Sequence, residues 1–175
     1  GFDFTIKHPE HVSELVIMNT WMWPLNHYPL FRLFSRLMSG KTGNLLTGRF
    51  NLFNKLMVWL AVYNKMEFSG SIHRQYQLPC DDKRKRQASI ELPRYLVDAG
   101  EWFQELYDNQ KTIQAKRCLL IWGMKDPAFR PHFFKQWQKL LPKAQAYKLK
   151  KAGHFPQEDQ SQTVSGIITD FLIAR

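Results

Sequence analysis

The sequence predicts an α/β protein with a mostly parallel sheet, and three stretches carry that prediction. Residues 117–122, Arg-Cys-Leu-Leu-Ile-Trp, form a nearly continuous apolar run, the composition of a strand covered on both faces. Leu15-Val16-Ile17-Met18 repeats that pattern near the amino end. Residues 145–149 are a third strand-like run. After an Ala-Gly-His-Phe-Pro turn the chain continues into residues 161–172, where Val164, Ile167, Ile168, Phe171 and Leu172 fall at helical spacing.

Taken in order, residues 2–7 read as the last turns of a core helix. They end at His8-Pro9 because the residue before a proline is pushed out of helical geometry. Residues 13–19 are then a strand, with His8 and His11 expected at the surface, away from its carboxyl end. After Asn19 the composition shifts to the proline-punctuated aromatic segment Thr-Trp-Met-Trp-Pro-Leu, and residues 28–78 follow a helical pattern. Leu30, Leu33, Phe34 and Leu37 make one apolar stripe there. Phe53, Leu56, Met57, Leu60 and Tyr63 make another; both are expected to pack, with Gly40, Gly43, Gly48 and Gly70 as breaks. Helices are expected over 90–99 and 101–109, separated at Asp98-Ala99-Gly100. Beyond the buried strand, residues 131–141 form a helix with proline in its first turn, turning Phe133, Phe134, Trp137, Leu140 and Leu141 inward and leaving His132 exposed. The chain has no internal repeat.

Two titratable residues sit where such a sheet places its chemistry. Asp126 follows the strand 117–122 across Gly123-Met124-Lys125, just past a carboxyl edge, and His154 follows the next strand. Gly153 permits a sharp turn and Pro156 stiffens the loop beyond, so the imidazole is carried on a defined corner. If the two strands are neighbours, the carboxylate can hold the imidazole, fix its tautomer and stabilise the imidazolium. Asp126 and His154 are therefore the candidate catalytic acid and base.

The runs Ile-Trp-Gly-Met-Lys-Asp-Pro-Ala-Phe (121–129) and Ala-Gly-His-Phe-Pro-Gln-Glu (152–158) resemble the acid and base segments of α/β-hydrolases, nearest the haloalkane dehalogenases. The opening, with His-Pro-Glu-His-Val-Ser-Glu-Leu-Val-Ile-Met-Asn, resembles the helix and strand that follow the nucleophile turn of that family. The resemblance implies three parts: hydrolase core over 1–20, an inserted helical cap over 21–87, and core again over 88–175. It implies hydrolysis through a covalent ester, with His154 activating water and Asp126 orienting His154. Asn19 stands where some dehalogenases carry the acid, but an amide cannot supply the charge. Trp21 and Trp23 become candidate substrate-binding residues, since an indole N–H can reach a halide or a substrate oxygen; the alternative for both is packing beneath the cap.

The family's nucleophile lies on a Gly-x-Ser/Asp-x-Gly elbow, and residues 1–175 contain none. Gly70-Ser71 lacks a partner glycine, and Ser39-Gly40-Lys41-Thr42 lacks the first glycine of a phosphate loop. The expectation is a carboxyl-terminal half of the α/β-hydrolase fold whose nucleophile and amino-terminal half lie outside this sequence, inactive by itself. Three alternatives stay open: a serine esterase or lipase, an epoxide hydrolase using Tyr63 or Tyr76, and an inactive fragment.

Composition narrows the other classes. A chain of 175 residues with 44% hydrophobic and 14% aromatic content is globular. No apolar run reaches spanning length. Cys80 and Cys118 give neither metal spacing nor a disulfide framework, which favours a reducing, cytoplasmic setting. The net charge of +10 and the run Lys83-Arg84-Lys85-Arg86 invite a nucleic-acid role, but no binding motif accompanies them; the run reads as the solvated start of a helix. No cofactor, metal or specific nucleic-acid partner is expected, and the substrate is expected to be small and apolar.

Overall fold

The computed structural model describes residues 1–174. In chain order the elements are α1 (Phe2–Lys7), β1 (Glu14–Met18), α2 (Pro29–Met38), α3 (Lys41–Phe50), a π-helical turn over Phe53–Met57 that runs into α4 (Val58–Ala61), α5 (Gly70–Gln77), α6 (Gln87–Asp98), α7 (Gly100–Asp108), α8 (Gln110–Gln114), β2 (Arg117–Gly123), α9 (Pro131–Leu140), β3 (Gln145–Leu149), α10 (Pro156–Asp159) and α11 (Ser161–Ile173). They gather into two compact units. One holds Gly1–Met22, Ala61–Phe68 and the chain from Asp108 onward; the other holds Trp23–Leu60 and Ser69–Tyr107. Residues 21–22 and 61–68, expected in the cap, group with the sheet, and residues 88–107, expected in the core, group with the second unit.

The first unit is built on a parallel sheet of order β1-β2-β3, with Leu15 opposite Cys118 and Leu119 opposite Gln145. β2 is central, and it is buried from Cys118 to Gly123, as its unbroken apolar run requires. Side chains of β2 alternate between two layers. Leu119 and Ile121 join Leu149, Ala152, Val164 and Phe171 in one core cluster, against α11. Trp122 turns to α9, its ring 5.8 Å from that of Phe134. Burial pushes the Cys118 thiol up to about 11, so that cysteine is an inert core residue.

Two indoles anchor the loops at the carboxyl ends of the strands. Trp122 donates its ring N–H to Phe129 O at 2.9 Å, and Trp137 donates to Thr20 O at 2.8 Å. Arg117, at the other end of β2, pairs with Glu14 of β1, donates to Phe171 O and to Ala174 O, and lies 4.0 Å over the Phe171 ring. One side chain thus joins both strands to α11.

The second unit is helical, with α2 packed on α6 and α3. Its α2 departs from the expected packing: Leu30, Leu33 and Leu37 are 46%, 57% and 62% exposed, while Phe31 and Ser35 are buried. A helical period marks which residues share a face, not what that face meets. The second expected stripe falls on the π-helical turn, where the wider winding breaks the 3.6 spacing, and Leu56 and Leu60 are exposed. Residues 83–86 form a turn before α6 rather than its first turn. Arg86 is a structural clamp there, donating to the carbonyls of Cys80, Gly48 and Asp81. Among the described residues no helix is long and apolar enough to cross a membrane.

Candidate active site

β2 ends at Gly123, and three residues later Asp126 is buried with its side chain fully covered. Its carboxylate is held by four donors. Oδ1 accepts from the backbone N–H of Ala128 at 2.7 Å and of Phe129 at 3.0 Å, and Oδ2 accepts from Asn19 Nδ2 at 2.8 Å and from His154 Nδ1 at 2.8 Å. An ionised carboxylate only accepts, so the Nδ1 of His154 carries the hydrogen and Nε2 presents its lone pair. The histidine side chain is 29% exposed.

Asn19 closes the site from β1. It sits just past that strand at φ 36°, the left-handed region that asparagine tolerates better than most residues. Its Nδ2 also donates to Gly123 O at 3.1 Å, and its Oδ1 accepts from Gly123 N at 2.8 Å. The amide therefore bridges the ends of two strands and the carboxylate at once. Its lack of charge, which excludes it as the acid, suits it to this task.

The two loops that carry Asp126 and His154 are laid directly against each other. Met124 N donates to Leu149 O and Lys125 N to Ala152 O, each at 2.9 Å. A Cβ on Gly123 would stand 1.9 Å from Gly153 O, and one on Gly153 would stand 2.3 Å from Ala61 O. Among the described residues no glycine has positive φ. Gly153 is needed for close backbone approach, not for the conformational freedom expected of it.

Aromatic rings flank the imidazole. Phe129 lies 5.4 Å from it, Phe155 meets it edge-on at 4.9 Å, and Trp21 stacks on Phe129 at 5.0 Å. The structure thus brings Asp126, His154 and, through Phe129, Trp21 into one cluster. Trp23 belongs to the second unit, where it is buried. The sequence reading weighed Asn19 only as an acid and gave Phe129 no role of its own. A polar residue closing a buried strand was the available signal for Asn19, since burial obliges such a group to find partners. Among the described residues no group of three His, Cys, Asp or Glu side chains is placed to hold a metal ion.

Parallel strands that end in a hydrogen-bonded carboxylate and imidazole, with a helix after each, are the architecture of an α/β-hydrolase core. The comparison with protein families agrees: residues 1–161 match the alpha/beta hydrolase fold family, and the chain belongs to it. Haloalkane dehalogenase 2 of Mycobacterium bovis is 27% identical over 167 residues, covering 94% of this chain and 57% of that protein. The cis-3-alkyl-4-alkyloxetan-2-one decarboxylase of Xanthomonas campestris is 25% identical over 178 residues, covering 98% of this chain and 59% of that protein. Among solved structures, the haloalkane dehalogenase DatA of Agrobacterium tumefaciens C58 superposes with a TM-score of 0.81 at 18% identity, over 99% of this chain and 62% of that one, a likeness of fold. The chain spans less than two thirds of the length of these relatives.

Proposed function

We propose that this chain supplies the base and the orienting acid of a haloalkane dehalogenase-like hydrolase that acts through a covalent ester, with the nucleophilic carboxylate on a segment outside residues 1–175. The second unit is read as its cap. The observation that carries this is the His154 to Asp126 hydrogen bond of 2.8 Å, made by a carboxylate that three further donors already hold in place. The likeness to haloalkane dehalogenase 2 supports the substrate class.

In the first step the external carboxylate attacks the carbon that bears the halogen, forming an alkyl ester and releasing halide. That nucleophile is ionised at neutral pH and needs no base. In the second step His154 Nε2 takes a proton from water, and the oxygen adds to the ester carbonyl. Collapse then frees the alcohol and regenerates the carboxylate. The imidazolium formed in between is stabilised by Asp126 through Nδ1–H. Trp21, stacked beside Phe129, is the candidate indole donor to the departing halide.

The test uses the enzyme complete with its nucleophile and the substitution His154→Gln. Rapid mixing with a haloalkane should release about one halide per site and then stall, and intact-protein mass should show the trapped alkyl adduct. Absence of both, on a substrate the parent turns over, would point to a serine nucleophile that needs His154 from the start.

A second reading rests on the oxetanone decarboxylase match, which covers 98% of this chain. Loss of carbon dioxide from a cis-3-alkyl-4-alkyloxetan-2-one leaves an alkene and consumes no water. Turnover of an oxetanone to alkene and carbon dioxide in equal amounts, with no hydroxy acid formed and no turnover of haloalkanes, would select it.

A further inference from the structure

Asp159 is a second buried carboxylate in the first unit, only 4% exposed. Burying a carboxylate is unfavourable unless hydrogen bonds replace its water. Here the replacements are backbone groups from two distant stretches. Oδ1 accepts from Tyr63 N at 2.9 Å and Asn64 N at 2.6 Å, and Oδ2 accepts from Gly153 N at 2.7 Å and, more weakly, from Tyr63 N at 3.2 Å. Gly153 is the residue immediately before the candidate base. The base's own backbone N–H donates to Ala61 O at 2.9 Å, and the Gly153 backbone approaches that same carbonyl too closely for a side chain.

His154 is therefore gripped at two ends. Asp126 holds the imidazole by its ring nitrogen, and Asp159, with segment 61–64, holds the main chain from which the ring projects. The ring contact alone leaves the backbone free to pivot about the Nδ1 bond. The Asp159 contacts remove that freedom.

We propose that Asp159 is a positioning residue for His154, its buried carboxylate locking the backbone of Gly153 to Tyr63 and Asn64 so that the imidazole stays within reach of the water it activates. The proposal rests on His154 being the base of an ester-forming hydrolase. Both carboxylate oxygens are needed as acceptors. In Asp159→Asn one of them becomes an NH2 that must face either Gly153 N–H or the N–H groups of Tyr63 and Asn64, donor against donor.

The experiment measures both chemical steps in the enzyme complete with its nucleophile, for the parent, Asp159→Asn, Asp159→Glu and His154→Gln. Asp159→Asn should give a parental burst of about one halide per site, followed by steady turnover about 10–100-fold slower, because a displaced base penalises only the step that uses it. The alkyl adduct should accumulate. Asp159→Glu, which keeps two acceptor oxygens, should recover part of the lost rate with the burst intact. Equal slowing of both steps would make Asp159 a residue of stability alone and overturn the proposal, as would parental turnover by Asp159→Asn beside a His154→Gln variant that traps the adduct. Should Asp159→Asn fail to fold, Asp159→Glu decides: a parental first step with a slower second step supports positioning, and equal slowing of both steps or parental rates throughout overturn it. A His154→Gln variant that gives neither burst nor adduct removes the ester mechanism and this proposal with it.

Discussion

At the end of β1, Asn19 makes three hydrogen bonds with one side chain, to both backbone groups of Gly123 and to Asp126. Removing it leaves a buried N–H without an acceptor, at about 1–3 kcal/mol, and puts a Cβ residue with no local hydrogen bonds at positive φ, at about 1 kcal/mol more. Asn19→Ala is expected to lower the stability of the enzyme by about 2–4 kcal/mol, read as a shift in the urea unfolding midpoint at unchanged slope. A change below about 0.5 kcal/mol, the range of neutral surface substitutions, would contradict this account. The pairing of Asp126 with His154 was legible because the two residues lie within a few positions of the ends of neighbouring strands, whose apolar pattern marks them. The contacts of Asn19 and Asp159 were not, because most of their partners are backbone groups far along the chain, of Gly123 for one and of Tyr63 and Asn64 for the other, which leave no mark in composition.

Arg117 acts at the scale of elements, since it joins β1, β2 and α11 through Glu14, the carbonyls of Phe171 and Ala174, and the Phe171 ring. Arg117→Ala strands Glu14, whose side chain is only 12% exposed, and frees the end of α11. The expected cost is about 1–3 kcal/mol, with hydrogen exchange rising first in the last turn of α11. Protection unchanged there would show that the helix is held by its apolar face alone. The strands and the outer helices were readable because period and burial agree in them. The short α8 and α10 were not anticipated, being one turn each and too brief for a period to show. The π-helical turn defeated the second apolar stripe for a related reason: its residues no longer obey the spacing by which the stripe was read.

For the molecule as a whole, the order β1-β2-β3 leaves β1 as an outer strand, with Val16 36% exposed. β3, the opposite edge, exposes Lys148, a charge that discourages edge pairing, beside Tyr147, whereas among the described residues β1 has no strand on its outer side and exposes Val16 without a charge on the strand beyond Glu14. The 175-residue chain by itself is expected to self-associate with rising concentration in sedimentation velocity, and Val16→Lys should reduce that association. A dilute monomer with a sharp, reversible thermal transition, unchanged across concentration, would refute the expectation.

The grip on His154 also determines how freely the protein can change its sequence. Ala61, Tyr63 and Asn64 take part through main-chain atoms, so any residue that preserves the backbone path can replace them, with proline barred at 63 and 64 for want of an N–H. Gly123, Gly153 and Asp159 have no such latitude, because space and acceptor number fix each one. Two stretches that meet at the same histidine are thus constrained differently: in the earlier one the contacts of Ala61, Tyr63 and Asn64 ask only for a backbone path, with Val62 held by its burial, while the later one is bound to the residues it has.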